Sequence, residues 1–311
     1  MKDMILRLKR ELTESVQRNK ANGILFSGGL DTAVLASIMP DVKGFTVSLE
    51  SYGEDLKYAA SVARLFGIQH NKWCVDTKEA IESIPEVIKI LKTFDPAIPN
   101  DLAAYFGLKL AKEHGVNKIM TGDGSDELFG GYSFMQEMDD LDGYIRKISQ
   151  HMCFSSNIIA EAFGIEIIQP FMDKGVVDFA LSLSADLKIR RENGIIRGKW
   201  ILRKAFEDIL PPEIAWQSKR PLEYGSGMTN LRDLISSRIT DEELRRNSKD
   251  IKFISNEHYY YYKVYSETVG DIPKPKSNQK PCPNCGAGMD KDAFHCRVCG
   301  LVLDWRTATT V

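Results

Sequence analysis

The segment from Gly23 to Met39 restricts the fold of this chain more than any other. Gly23-Ile24-Leu25-Phe26 is a short apolar run, Ser27-Gly28-Gly29-Leu30-Asp31-Thr32 is small and polar, and Ala33 to Met39 reads as a helix. A strand that passes through a glycine loop straight into a helix has the parts of an anion site. The glycines let the backbone turn tightly and approach a phosphate, Ser27 and Thr32 supply hydroxyls, and the helix points its amide dipole at the anion. Asp31 has a place beside phosphates if a magnesium ion bridges its carboxylate to their oxygens.

The alternation continues beyond this loop. A strand-like run from Phe45 to Leu49 is followed by an amphipathic helix over Asp55 to Phe66 that closes on Gly67, and His70 to Val75 is a third strand. Helical periodicity covers Lys78 to Leu91 and Leu102 to His114, and Lys118 to Thr121 is another buried strand. Strands alternating with helices imply an α/β fold, a Rossmann-like parallel sheet with helices on both faces. Ligands of such sheets sit at the carboxyl ends of strands, where Ser27 and Thr121 fall. From about residue 134 to 270 the pattern is mostly helical, with Val176 to Leu183 and Gly198 to Ile209 the clearest stretches. The Tyr259 to Tyr262 run reads as ordinary helix packing, and Cys74 and Cys153 as buried small hydrophobes.

A second loop follows the strand at Lys118. Thr121-Gly122-Asp123-Gly124-Ser125-Asp126-Glu127-Leu128-Phe129-Gly130-Gly131-Tyr132 places three carboxylates within five residues. Their mutual repulsion is unfavourable unless cations or protons offset it, which points to a second magnesium ligand here.

Composition limits what else the chain can be. With 311 residues, 43% of them hydrophobic, it can bury a sizeable core, and a net charge of -2 gives no global attraction to nucleic acid. Ile5, Leu8, Leu12 and Val16 form one face of an N-terminal amphipathic helix rather than a signal peptide, and no apolar stretch approaches the roughly 20 residues that span a bilayer. A cytoplasmic protein without a membrane partner is expected.

Four of the six cysteines fall within eighteen residues, as Cys282-Pro283-Asn284-Cys285-Gly286 and Cys296-Arg297-Val298-Cys299-Gly300. Two such knuckles predict a structural zinc site with Cys282, Cys285, Cys296 and Cys299 as ligands. The expected organisation is a main domain over 1–270, a proline-rich linker over 271–281 and a zinc ribbon over 282–311. With no open coordination position, the ribbon is expected to recruit a partner: a protein, a carrier or RNA, the last through Lys274, Lys276, Lys280, Lys291 and Arg297.

Ser-Gly-Gly-Leu-Asp-Thr together with Gly-Asp-Gly-Ser-Asp-Glu-Leu-Phe-Gly-Gly-Tyr resembles the synthetase domain of asparagine synthetases and their relatives, including β-lactam synthetases, which are ATP pyrophosphatases of the adenine nucleotide α-hydrolase-like fold. Further similarity lies in Glu54 to Ala60, Pro170-Phe171-Met172-Asp173, Lys199-Trp200-Ile201-Leu202-Arg203, Leu210 to Ile214 and Lys219-Arg220-Pro221, so the resemblance spans about residues 5–230. It implies an AMP-forming ligase: ATP adenylates a carboxylate with loss of pyrophosphate, and ammonia or an amine displaces AMP. By position, Ser27, Gly28, Gly29, Asp31 and Thr32 would hold pyrophosphate, Asp31 and Asp126 would bind magnesium, and Leu25, Val47 and Gly122 would frame the adenosine. Lys199 would neutralise the α-phosphate. Asp123, where many relatives have Glu, would handle protons of the attacking amine.

The chain departs from that family in two ways. Lys2 stands where glutamine-dependent members have a catalytic cysteine, so no glutaminase domain of its own is expected, and nitrogen would come from ammonia, a separate glutaminase chain or a substrate amine. Ile168 replaces an arginine of the family's Glu-x-Arg-x-Pro-Phe, which separates this chain from strict aspartate amidation and leaves a small or carrier-borne carboxylate unnamed. A homodimer is compatible with this reading. The alternatives are a thiolase-like tRNA-modifying ATP pyrophosphatase, which would use the ribbon for RNA, and a nucleotide-binding regulator without turnover.

Overall fold

The computed structural model describes residues 1–306 except Asn193 and Lys249, so the last five residues of the expected ribbon lie outside it. It opens with α1 (Lys2–Arg18), whose Leu8, Leu12 and Val16 are buried at the expected four-residue spacing. Then follow β1 (Gly23–Leu25), α2 (Leu30–Ile38), β2 (Lys43–Leu49), α3 (Asp55–Phe66), β3 (His70–Val75), α4 (Thr77–Leu91), α5 (Ile98–Glu113), β4 (Lys118–Met120) and α6 (Ser125–Phe129). After them come α7 (Leu141–Ser149), α8 (Ser155–Phe163), β5 (Glu166–Ile168) and α9 (Lys174–Ser182), and the rest of the main body up to Thr268 is helical apart from a short antiparallel hairpin of Arg190–Glu192 with Ile195–Arg197.

The five strands form one sheet in the order β3-β2-β1-β4-β5, and every neighbouring pair is parallel. The chain builds outward from β1 to β3 and then returns to β4 on the other side of β1, so the strand order reverses between β1 and β4. A crevice opens at such a reversal, outside the carboxyl ends of the strands. Side chains alternate between two cores: Ile24, Phe26 and Met120 join α1, α2 and α3, while Phe45, Val47, Leu49 and Ile119 join α4 and α5. The helices end by simple means. Gly67 and Gly115 adopt φ of +70° and +72° after α3 and α5, and Asp76 caps α4 by accepting from the Glu79 amide at 2.8 Å.

Several boundaries differ from the sequence reading. α2 begins at Leu30 rather than Ala33, so Asp31 and Thr32 belong to its first turn, and α5 begins at Ile98 with Pro99 early in the helix. β5 was not visible as a strand, being three residues long. The segment expected as a linker over 271–281 ends in a strand, Gln279–Pro281, which pairs antiparallel with Gly288–Asp290 to make the ribbon's hairpin. Cys74 and Cys153 are exposed rather than buried, since Cys74 lies on the edge strand β3 and Cys153 in the connection before α8. Tyr261 and Tyr265 are wholly buried, and Tyr262 and Tyr265 pack edge-on against Phe94 at 5.1 and 5.3 Å. No helix among the described residues is long and apolar enough to cross a membrane.

Candidate active site

The loop after β1 is held open by its own hydroxyls. Ser27 Oγ accepts from the Gly29 amide at 3.2 Å and lies 3.3 Å from Thr32 Oγ1, which donates to the Gly29 carbonyl at 3.3 Å. Gly28 has φ of +69°, and a Cβ there would sit 2.2 Å from the Ala59 amide nitrogen, so only glycine fits. Its carbonyl accepts from Gln217 Nε2 at 3.2 Å, which ties the loop to a segment nearly two hundred residues away.

The acidic loop meets the first helix across a lysine. Lys199 Nζ lies 2.8 and 2.7 Å from the two oxygens of Asp31 and 2.7 Å from Asp126 Oδ1, while Lys219 Nζ donates to Asp126 Oδ2 at 2.7 Å. Ser125 Oγ donates to Asp31 Oδ1 at 2.7 Å. Burial alone would raise the Asp126 carboxyl, but the two ammonium groups outweigh it and hold its pKa well below the usual range. Burial works equally against Lys219, and Asp126 with Asp31 raises its pKa nonetheless. Glu127, one residue on, is pushed up by burial and by the Asp126 charge, although the Tyr132 hydroxyl donates to it at 2.6 Å.

Lys199, expected beside the α-phosphate, is buried ahead of its helix rather than on a helix surface. It precedes the helix Trp200–Phe206 in the left-handed region, with φ of +55°, and is 3% exposed. Its amide donates to the Phe129 carbonyl at 2.9 Å, and flanking glycines make room: a Cβ on Gly198 would lie 2.1 Å from the Gly130 carbonyl oxygen, and one on Gly131 would lie 1.9 Å from Asp126 Oδ1. A non-glycine residue in that conformation is strained and persists only where its surroundings fix it.

Asp123 is anchored by one oxygen. Its Oδ2 accepts from Thr121 Oγ1 at 2.7 Å, Ser156 Oγ at 2.6 Å and Gln169 Nε2 at 3.0 Å, which leaves Oδ1 to the cavity. Gly122 lets Asp31 pass over it, since a Cβ there would be 2.9 Å from that of Asp31.

These groups line one cavity of about 1280 Å³. Leu25, Ser27, Gly29, Asp31 and Thr32 contribute from the first loop, Val47 from β2, Gly122, Asp123 and Asp126 from the second, and Lys199 from beyond. Gly28 stands behind the loop, and the four cysteines lie outside the lining. Sequence reasoning gave no role to three further cations that line it. Lys219 reaches it through its ion pair with Asp126. Arg203 is buried, donating to the Gly198, Ala215 and Gln217 carbonyls at 2.8 to 2.9 Å, and burial lowers its pKa to about 10. Arg220 pairs with buried Asp55 at 2.9 Å and stacks on Tyr58. The signal was present in Lys219-Arg220-Pro221, read only as similarity.

Two carboxylates that share one ammonium, with Asp126 Oδ1 buried and lacking an aligned donor, are hard oxygen ligands at the spacing of a common cation. They fit a magnesium ion carried in with phosphates. The four cysteine sulfurs lie within 4.8 Å of one another, with Cys282 to Cys299 and Cys285 to Cys296 each 3.7 Å apart. A tetrahedral ion with metal–sulfur bonds of about 2.3 Å separates its sulfurs by about 3.8 Å. Each knuckle closes on a left-handed glycine: Gly286 and Gly300 donate to the Cys282 and Cys296 carbonyls at 2.9 Å.

The family model described as asparagine synthase matches residues 7–151 and 144–263. A probable glutamine-hydrolysing asparagine synthetase of Dictyostelium discoideum is 28% identical over 308 residues, covering 86% of this chain and 55% of that protein. Glutamine-hydrolysing asparagine synthetase 2 of Lotus japonicus is 30% identical over 276 residues, covering 78% of this chain and 47% of its own. The chain thus spans about half the length of the relatives it matches. Among solved structures, a U34-tRNA thiolase of Methanococcus maripaludis with a 4Fe–4S cluster covers 88% of this chain and 82% of its own at 13% identity and a TM-score of 0.37.

Proposed function

The chain belongs to the asparagine synthase family, whose matched segments together span residues 7–263, and on that premise we propose that its cavity forms an amide by adenylating a carboxylate with ATP. The observation that carries this reading is Lys199, buried between Asp31 and Asp126 in a strained backbone conformation. A fixed cation where the phosphate loop meets the acidic loop is placed for charge that develops on a phosphoryl group.

In the proposed reaction a carboxylate oxygen attacks the α-phosphorus of ATP and the α–β bridging P–O bond breaks, releasing pyrophosphate. Ser27, Gly29, Thr32 and the N-terminus of α2 would hold the pyrophosphate, with Gly28 setting the turn. Asp31 and Asp126 would hold magnesium, which when bound neutralises phosphate oxygens. Lys199 would leave its carboxylate partners for the α-phosphate, and Lys219 and Arg203 add positive charge beside it. Leu25, Val47 and Gly122 line the place for adenosine. A neutral amine or ammonia then attacks the acyl carbon, the acyl C–O bond to AMP breaks, and a proton of the nitrogen passes to Asp123 Oδ1. The nitrogen would be free ammonia, ammonia from a separate glutaminase chain, or a substrate amine. The cysteine cluster would hold a structural zinc ion, and its thiolates suit a reducing compartment such as the cytoplasm.

The test is product analysis. The full chain incubated with ATP, magnesium, the common amino acids as carboxylates, and ammonium or hydroxylamine is expected to release AMP and pyrophosphate in equal amounts. ADP and phosphate in their place, or no carboxylate-dependent release, would overturn the reading.

A further inference from the structure

The cavity is larger than the roughly 300–1,000 Å³ of an ordinary ligand site. Its far half is walled by the cysteine ribbon, whose Met289, Phe294, His295 and Trp305 line it together with the phosphate loop. The ribbon is docked, not tethered. The Phe94 amide donates to the Val298 carbonyl at 2.8 Å, His295 Nε2 lies 3.0 Å from Asp95 Oδ2, and the Lys252 amide donates to Asn284 Oδ1 at 2.8 Å. Tyr144 from α7 packs against Phe294 at 6.0 Å and Trp305 at 5.6 Å, so ribbon and main body share an aromatic cluster at this end.

One helix connects the two halves. α5 turns Asn100, Asp101, Ala103, Ala104 and Gly107 toward the cavity, with Ala97 just before it, a stretch about 15 Å long at 1.5 Å per residue. It begins three residues after Asp95, the partner of the ribbon's His295, and reaches Leu25 under Gly107. All of that face is small or neutral except Asp101. Asp101 is 4% exposed, its carboxylate is met by the Ser155 hydroxyl and the Asn100 side chain, and no cation lies within ion-pair distance of it among the described residues. Asp95 and Glu223 add negative charge nearby. Burial pushes the Asp101 carboxyl up to about 7. An uncompensated buried carboxylate is costly and is kept where something cationic answers it.

We propose that the half of the cavity between α5 and the cysteine ribbon receives an organic substrate with an apolar, aromatic-compatible body and a non-reacting ammonium group, which pairs with Asp101. The ammonium held there is a recognition group, because its lone pair is engaged in an N–H bond and cannot attack an acyl carbon. The ribbon is then part of the substrate site. This rests on the synthetase reading only in calling the ligand a substrate; the pairing itself is read without turnover.

The experiment titrates the full chain, without nucleotide, with phenethylamine, phenethyl alcohol and methylamine by calorimetry. Phenethylamine is expected to bind at least about 10-fold tighter than either, Asp101→Asn to remove its advantage over the alcohol, and Phe294→Ala to weaken amine and alcohol alike. Nucleotide affinity, measured in parallel, should be unchanged in Asp101→Asn and shows that the variant is folded. Equal affinity for amine and alcohol, no binding of the amine at millimolar concentration, or an undiminished preference in Asp101→Asn would overturn the proposal. Failure of AMP and pyrophosphate release would leave these titrations intact and strike the synthetase reading alone.

Discussion

The two ends of the cavity solve the problem of buried charge in opposite ways. At the phosphate end the carboxylates nearest the phosphate loop are answered by cations: Asp31 and Asp126 share Lys199, Asp126 also holds Lys219, and Asp55 holds Arg220, while Asp123 and Glu127 have neutral donors. At the ribbon end Asp101 is buried with only neutral hydrogen-bonding company among aromatic and aliphatic walls. The first arrangement is complete without ligand and exchanges partners when phosphates and their cation arrive. The second has hydrogen bonds but no cation, which is the position the proposed ammonium would take. Carboxylates met by cations thus gather at the phosphate loop, and the carboxylate without one lies toward the ribbon.

The largest effect that separates the ends should come from the ribbon's metal. Metal binding to small thiolate modules contributes on the order of 10 kcal/mol to their folding. Cys296→Ser, or chelation, is expected to remove one zinc per chain by atomic emission and to abolish phenethylamine binding while ATP binding persists. Loss of both would show that the ends are not separable, and an absorption band near 400 nm in the intact protein would identify an iron–sulfur cluster in place of zinc. A smaller effect, confined to the phosphate end, is expected from Lys199→Ala: carboxylate-dependent pyrophosphate release should fall by roughly 10²–10³-fold. Phenethylamine binding should stay as it is, and a parallel loss there would couple the two ends through Lys199.

The same contrast governs what could be read from the sequence. The phosphate loop and the acidic loop are contiguous, their glycines, hydroxyls and carboxylates lying within a few residues of one another, so Ser27 to Thr32 and Gly122 to Glu127 were legible as the loops that line the cavity. The parallel sheet followed from the alternation of strands and helices, apart from β5, whose three residues carry no period. Lys199 was visible as a residue but not as a conformation, since its positive φ is imposed by Gly130, Gly131 and Gly198 closing around it. Lys219 acts through Asp126, ninety-three residues away, and no local pattern encodes that; Arg203 is fixed by carbonyls within fourteen residues, but that it lines the cavity is set by the fold. The cysteine knuckles were legible; their docking against Phe94, Asp95 and Tyr144 was not, and the ribbon looked like a tethered adaptor for that reason. Asp101 left no mark because it stood just before the helical stretch expected from Leu102, where a lone carboxylate reads as a favourable dipole contact.

The finest test of the comparison is a pair of isosteric substitutions with opposite signs. Asp126 has a folded pKa held below its ordinary value, so its contribution to stability is present above the unfolded pKa and lost as pH falls through the folded one. Asp126→Asn strands two lysines and should destabilise the chain at pH 8 by about 1–3 kcal/mol. Asp101 runs the other way. Its folded pKa of about 7 lies above the ordinary 3.8, so the folded state binds the extra proton, and the stability this gives is full at low pH and is lost as pH rises from about 4 to 7. Asp101→Asn, which needs no proton to be neutral, should therefore leave stability near wild type at pH 4 and raise it at pH 8, by about 1–3 kcal/mol, in urea melts at the two pH values. A variant that is destabilised at both pH values would show that Asp101 is a structural anchor satisfied within the fold, and the two ends of the cavity would then handle buried charge alike.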